Sequence, residues 1–124
     1  MPEETARILV VEDEDQIRIL LLRLLDQEGY TAVEARNADE ALEILDRESF
    51  DLILLDLHMP GQASGEDLLF KVRDSGDDVP IVIISAWVDE DIAQNQPECV
   101  HAILKKPIRL DEFKDTVEQA LALN

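Results

Sequence analysis

The sequence predicts an α/β domain built on one doubly wound parallel sheet. The chain has 124 residues, which suits a single domain that needs no disulfide or metal ion to fold. Short apolar segments alternate with longer amphipathic ones along its length. Three of the short segments are apolar throughout, which is typical of strands that helices cover on both faces. This alternation implies right-handed crossovers within one sheet.

Five strands are predicted from short runs rich in Leu and β-branched residues. The runs are RILVV at 7–11, YTAVEA at 30–35, DLILL at 51–55, IVIIS at 81–85 and HAILK at 101–105. The second run alternates apolar and polar residues, which indicates an edge strand with one solvated face.

The first two helices are predicted between these strands. In the segment 15–29, an apolar stripe at helical spacing precedes Gly29, a helix stop signal. The stripe consists of Ile17, Leu20, Leu21, Leu24 and Leu25. The second helix is expected to begin after Asn37 as its cap, with Glu40 three residues on as in a capping box.

Three more helices complete the prediction. Two lie at 65–74 and 110–123, and a short or distorted one is expected between 89 and 100. Pro97 weakens this last helix because it has no amide hydrogen and disfavours helix at the preceding residue. No internal repeat, low-complexity tract or linker divides the chain.

Composition excludes several classes of partner. The formal charge of -18, from 29 acidic and 11 basic residues, argues against direct binding of nucleic acid or an anionic membrane. A cation or a basic protein surface is favoured, although most of the acids are ordinary solubilising charge. The single cysteine, Cys99, allows no internal disulfide or CxxC motif and is expected to be an apolar filler. No apolar run approaches the ~20 residues of a membrane span, and MPEETAR does not resemble a signal peptide, so a soluble, cytoplasmic protein is expected.

Chemically active side chains follow four of the predicted strands. The first strand runs into Glu12 and Asp13, the third into Asp56, the fourth into Ser85 and the fifth into Lys106. Ligands of doubly wound sheets bind at the carboxyl ends of the strands, where the strand order reverses. Each residue alone is an ordinary turn or cap residue. Three acids, a hydroxyl and an ammonium at one edge together indicate a functional site.

In these residues and the motifs around them, the chain resembles the receiver domain of two-component response regulators. The likeness rests on ILVVEDED, LLDLHMPG, IVIISA and LKKPI, in the family's order and spacing, and covers nearly the whole chain. It implies a flavodoxin-like fold with strand order 2-1-3-4-5 and five helices. It also implies one receiver domain over 1–124, with an ordered core at approximately 6–123.

The resemblance assigns a role to each site residue. Asp56 is expected to be the phosphoacceptor, Glu12 and Asp13 the acidic pair, and Ser85 and Lys106 the hydroxyl and lysine of the family. The expected donor is a phosphohistidine on a histidine kinase or a histidine phosphotransfer protein. The chain would then be a signalling switch that catalyses only its own phosphotransfer and dephosphorylation. The output would come from a separate partner or a fused domain, since the sequence ends after the last predicted helix.

A divalent cation is expected among the carboxylates, because three neighbouring anions repel one another unless they are neutralised. Mg²⁺ suits this site, with Mn²⁺ as the alternative. Because Mg²⁺ keeps several waters and takes one or two carboxylates, Asp13 and Asp56 are expected as direct ligands and Glu12 as a ligand through water. By the resemblance, the backbone carbonyl of His58 is a further ligand. Its imidazole is not expected to bind, because Mg²⁺ prefers oxygen.

Other positions concern switching and the lifetime of the phosphoryl group. Many receivers carry Tyr or Phe three residues before the site lysine, where this chain has Ile103, so Ser85 is expected to switch without the usual aromatic partner. The GQASG loop is one residue longer than the common spacing. Trp87, two residues beyond Ser85, is expected on the same side of an extended segment. The resemblance places it with His58 beside the path of the hydrolytic water, and packing in the core is the alternative.

Three other functions are conceivable for such a sequence. A flavin-binding domain of the same topology needs a phosphate loop after strand one, where VVEDEDQ would repel phosphate. A phosphatase or mutase would usually carry a second Asp two residues after the nucleophile, where this chain has His58. The remaining alternative is a phosphate-independent, receiver-like interaction module. The presence of both Asp56 and Lys106 argues against it.

Overall fold

The computed structural model describes residues 5–56, 65–74, 79–85 and 100–122. Its strands are β1 (Arg7–Val11), β2 (Thr31–Ala35), β3 (Leu52–Asp56), β4 (Ile81–Ser85) and β5 (Val100–Lys105). Its helices are α1 (Asp15–Gln27), α2 (Ala38–Arg47), α3 (Gly65–Asp74) and a C-terminal helix (Leu110–Leu121). The helix expected between 89 and 100, the GQASG loop up to residue 64, His58, Trp87, Pro97 and Cys99 lie outside the described residues.

The strands form one parallel sheet in the order β2-β1-β3-β4-β5, which confirms the predicted flavodoxin-like fold. The order reverses between β1 and β3, which are hydrogen-bonded neighbours. The carboxyl ends of these strands lie level, because Val11 pairs with Leu55 and Asp56 pairs with Ile84 of β4. The predicted edge position of β2 is also confirmed.

Each face of the sheet carries its own apolar core, because side chains alternate sides along a strand. One core joins the sheet to α2 and α3 through Leu9, Val11, Ile53, Leu55, Ile83, Ala41, Ile44, Leu68 and Val72. The other joins it to α1 and the C-terminal helix through Ile8, Val10, Leu52, Leu54, Ile84, Leu21, Leu25, Phe113 and Val117. Burial on both faces explains why β1, β3 and β4 are apolar except for one polar residue at an end of each strand.

The helix boundaries follow the predicted signals. Helix α1 ends at Gln27, and Gly29 adopts the left-handed backbone conformation, with φ of 85°, that ends a helix at low cost. Asn37 caps α2 by accepting a hydrogen bond from the Glu40 amide at 2.8 Å. The Glu40 side chain accepts from the amide of Arg36 at 3.3 Å, one residue before the cap. In the described part of the chain, no helix has both the length and the apolar character needed to cross a membrane.

The predicted apolar stripe of α1 is wrong at one position. Leu20 is 43% exposed, whereas Leu21 and Leu25 are buried and Ile17 and Leu24 pack partly against the core. Arg18, which the apolar pattern did not include, is buried instead. The inward face of α1 is therefore partly polar at its amino-terminal end, next to the acidic residues that follow β1.

Candidate functional site

Three carboxylates converge at the point where the strand order reverses. Glu12 and Asp13 follow β1, and Asp56 is the last residue of β3. One carboxylate oxygen from each lies within 4.8 Å of the other two. Glu12 and Asp56 are buried, and Asp56 is only 3% exposed, whereas Asp13 is half-buried. This is the crevice in which doubly wound sheets bind ligands.

Lys106 places a positive charge against this cluster. Its Nζ lies 2.9 Å from Glu12 Oε1 and 3.5 Å from Asp56 Oδ2, and the side chain is largely buried. The backbone amide of Lys106 donates to the carbonyl of Ser85 at 2.8 Å, which fixes the end of β5 against the end of β4. The lysine is therefore held by its backbone as well as by its charge.

Burial and charge act together on the protonation of the site. Burial raises the pKa of Glu12 to about 7, and the charge of Asp56 adds to this, although Lys106 and the Glu14 amide act in the opposite direction. Burial lowers the pKa of Lys106, but its hydrogen bond to Glu12 and the surrounding carboxylates outweigh this and raise it overall. Lys106 is therefore an ammonium at neutral pH.

Ser85 lies at the same edge but faces the other layer of the fold. It is fully buried, and alternation along β4 places it on the side of Ile83, toward α2 and α3. Asp56 lies two residues after Leu54 in β3 and therefore shares its face of the sheet. This face is opposite to that of Ser85 and is turned toward α1 and the C-terminal helix. Ile103 pairs with Ile83 across the sheet and packs partly into the same core. The structure thus brings together Glu12, Asp13, Asp56 and Lys106, and ties Ser85 to them through the backbone.

Two site neighbours were missed from the sequence. Glu14 Oε1 lies 3.5 Å from Lys106 Nζ, and the Glu14 amide donates to Glu12 Oε2 at 3.1 Å. Arg18 donates to the backbone carbonyl of Glu12 at 3.0 Å. The signals that could have found them are the continuous acidic run EDED and an arginine within an apolar helical stripe.

The donor set fits a hard divalent cation. Only carboxylate oxygens are contributed by the three acids, and such ligands suit Mg²⁺ or Mn²⁺ rather than softer metals. Within the described residues, the ammonium of Lys106 lies within 4 Å of two of these three carboxylates and offsets only part of their combined negative charge. A cation bound here would reduce the repulsion from Asp56, which adds to the effect of burial in raising the pKa of Glu12.

The fold and the site define an α/β domain with an acidic, cation-compatible centre at the switch point of its sheet. The chain belongs to the response regulator receiver domain family, whose sequence profile matches residues 8–118. This confirms the resemblance seen in the sequence. The family is one of signalling domains rather than of enzymes in the ordinary sense.

Curated relatives include both short and long proteins. The chain is 34% identical to sporulation initiation phosphotransferase F of Bacillus subtilis (strain 168) over 118 residues, which cover 94% of each chain. It is 33% identical over 120 residues to sensor kinase CckA of Brucella abortus (strain 2308), covering 94% of this chain but only 13% of that kinase. Receiver domains similar to this chain therefore occur both nearly alone and within much longer proteins.

Solved receiver structures share the fold closely. The response regulator protein TrrA from Thermotoga maritima, in complex with Mg²⁺-BeF, matches with a TM-score of 0.83 and 33% identity over 94% of this chain and 99% of that one. A response regulator receiver protein from Pseudomonas putida matches with a TM-score of 0.86 and 29% identity, over 95% and 99% of the two chains.

Proposed function

We propose that the protein is a phosphorylation-dependent signalling switch in which Asp56 accepts a phosphoryl group from a phosphohistidine. The observation that carries this is the 3.5 Å approach of Lys106 Nζ to the buried Asp56 carboxylate, inside a cluster of three acids. The donor is a histidine kinase or a histidine phosphotransfer protein. Membership of the receiver family and the likeness to a phosphotransferase and a sensor kinase support this choice of donor.

The reaction is a displacement at phosphorus. A carboxylate oxygen of Asp56 forms the new bond to phosphorus, and the phosphorus–nitrogen bond of the donor breaks. The electron pair of that bond stays with the imidazole nitrogen, which takes up a proton, and Asp56 becomes an acyl phosphate. Such a transfer depends mainly on positioning and charge neutralisation, which burial at the end of β3 and the nearby ammonium of Lys106 favour.

The proposed cation is Mg²⁺, with Mn²⁺ as the alternative. Asp13 and Asp56 would bind it directly and Glu12 through water, which matches the ion's preference for few carboxylates and several waters. The backbone carbonyl of His58, a residue outside the described part of the chain, completes the proposed protein ligands. When bound, the cation supplies positive charge for the carboxylates and the phosphoryl oxygens. The Mg²⁺-BeF complex of TrrA supports the assignment.

Lys106 and Ser85 have separate roles in the phosphorylated state. Lys106 exchanges its contact with Asp56 for one with a phosphoryl oxygen, and the Ser85 hydroxyl donates to another. Ser85 and Ile103 form the switch position. Ile103 already packs in the core of α2 and α3, so we propose that the movement of Ser85 is transmitted by apolar packing there.

The chain also reverses its own modification in this proposal. Water attacks phosphorus, the bond between phosphorus and the Asp56 oxygen breaks, and inorganic phosphate leaves. His58 and Trp87 are proposed to flank the path of that water. Residues 1–124 form one cytoplasmic receiver domain, whose output partner is a separate protein or a fused domain. The net charge of -18 disfavours direct contact with nucleic acid or membrane.

The test is phosphorylation by a small donor. After incubation with Mg²⁺ and phosphoramidate, the wild-type protein should gain the mass of one phosphoryl group, and Asp56→Asn should gain none. Asp46→Asn, which removes an exposed carboxylate of α2, is the matched control and should react like the wild type. An unmodified wild type, under conditions where an established receiver reacts, would favour the phosphate-independent interaction module.

A further inference from the structure

Arg18 is a charged residue in an unusual position. It lies in α1 and is only 4% exposed, although arginine is rarely buried unless it is paired. Nothing in the proposed phosphoryl transfer uses it. Its surroundings are therefore informative about a role beyond the proposed chemistry.

The guanidinium joins three separate parts of the chain. Nη1 donates to the backbone carbonyl of Glu12 at 3.0 Å, Nη2 donates to Asp15 Oδ1 at 2.6 Å, and Nε donates to Glu34 Oε1 at 3.3 Å. These partners lie after β1, at the start of α1 and in β2. A planar guanidinium can hold several acceptors at fixed angles, which a lysine ammonium cannot do.

These bonds act on the acidic loop, residues 12–15. The amide of Glu12 donates to the carbonyl of Ala35 at 3.1 Å, and Glu12 Oε2 accepts from the Glu14 amide at 3.1 Å. Arg18 adds the bond to the Glu12 carbonyl, which belongs to the peptide unit that leads into Asp13. The backbone preceding Asp13 is thus held on both sides, by β2 and by Arg18.

We propose that Arg18 is a positioning residue for the cation site, holding the acidic loop so that the Asp13 carboxylate stays within reach of Asp56. This inference rests on the proposed Mg²⁺-dependent function. The charge of Arg18 alone would act the other way, because a cation repels Mg²⁺. Asp15 and Glu34 compensate that charge, so the geometric effect dominates. The two effects predict opposite changes in Mg²⁺ affinity when the guanidinium is removed.

The test is a Mg²⁺ titration of the full chain by calorimetry. Arg18→Met keeps the length of the side chain without its donors and should bind Mg²⁺ about 10-fold more weakly or worse, because removing groups that orient metal ligands typically costs roughly 10- to 100-fold in metal affinity. Arg18→Lys keeps the charge but not the planar fork and should be intermediate. Arg23→Met removes an exposed arginine from the same helix and should bind as tightly as the wild type or more tightly.

A second readout separates positioning from general damage to the fold. At saturating Mg²⁺, the Arg18 variants should recover a wild-type rate of phosphorylation by phosphoramidate, because the loss lies in cation binding. In the apo protein, the Glu14 amide should exchange its hydrogen faster in Arg18→Met. Thermal unfolding in the same buffer verifies that each variant is folded. If Arg18→Met does not fold, the Mg²⁺ affinity of Arg18→Lys is compared with that of the wild type instead.

The outcomes distinguish this inference from the proposed function. A folded Arg18→Met or Arg18→Lys that binds Mg²⁺ as tightly as the wild type overturns the role of Arg18 and leaves the phosphoacceptor proposal intact. A wild type that neither binds Mg²⁺ nor accepts a phosphoryl group overturns both.

Discussion

The ammonium nitrogen of Lys106 lies closer to Glu12 Oε1, at 2.9 Å, than to Asp56 Oδ2, at 3.5 Å. Glu14 Oε1, also at 3.5 Å, is a third acidic contact. Without a phosphoryl group, Lys106 is therefore paired chiefly with a member of the acidic pair. Phosphorylation of Asp56 would require the lysine to change partners, so its role should be separable from cation binding.

Lys106→Ala should leave Mg²⁺ affinity largely intact or raise it slightly, because the ammonium is not a ligand and repels the cation. Phosphorylation or the response to it should be impaired, by about tenfold or more in rate if the ammonium stabilises the transferring group. Calorimetry and intact-mass kinetics measure the two quantities. Lys105→Ala removes the exposed neighbouring lysine and should match the wild type in both. Loss of Mg²⁺ binding in Lys106→Ala would show that the lysine has been given the wrong role.

The two acids after β1 should differ in their effect on the cation. Asp13→Ala removes a proposed direct ligand and should weaken Mg²⁺ binding more than Glu12→Ala, which removes a ligand acting through water. Both variants should raise the stability of the apo protein by relieving repulsion within the cluster. Calorimetric titration and chemical denaturation in EDTA measure these effects. Equal losses of affinity in the two variants would contradict the ranking.

The raised pKa of Glu12 predicts a pH dependence of apo stability. Because its pKa rises from 4.5 to about 7 on folding, the folded protein binds more protons than the unfolded chain between these values. The contribution of Glu12 is therefore most favourable below pH 4.5 and is lost as the pH rises toward 7. In EDTA, Glu12→Gln should gain stability relative to the wild type across this interval. A constant difference between the two proteins from pH 4.5 to 8 would refute the assignment.

Trp87 offers an optical test, since it is the only tryptophan in the chain. If it flanks the path of the hydrolytic water, Mg²⁺ and phosphorylation should each change its emission. Trp87→Ala should still be phosphorylated but should lose the phosphoryl group at an altered rate, faster if the indole hinders water. If neither Mg²⁺ nor phosphorylation changes the emission, and the variant loses its phosphoryl group at the wild-type rate, Trp87 would instead be assigned to the core.

The features predicted correctly from the sequence are those that depend on residues close together in the chain. The bounds of β1 and β4 were predicted correctly, because each strand is built on a run of four consecutive apolar residues. Leu20 was wrongly assigned to the core because spacing alone does not reveal which helical positions face a partner. Glu14 was missed because its partner Lys106 is 92 residues away and comes close only in the folded chain. Arg18 was missed because spacing does not reveal that a charged residue on α1 is buried against the backbone carbonyl of Glu12.

The burial of Asp56 bears on the shape of the proposed protein donor. If Asp56 is the phosphoacceptor, its low exposure, 3%, would make it less accessible to a flat protein surface than to a projecting one. A phosphohistidine donor would then be expected to carry its imidazole on a projecting element. Selection among protein donors would in that case depend on the shape of the partner as well as on its charge, whereas a small donor such as phosphoramidate would not be subject to that selection.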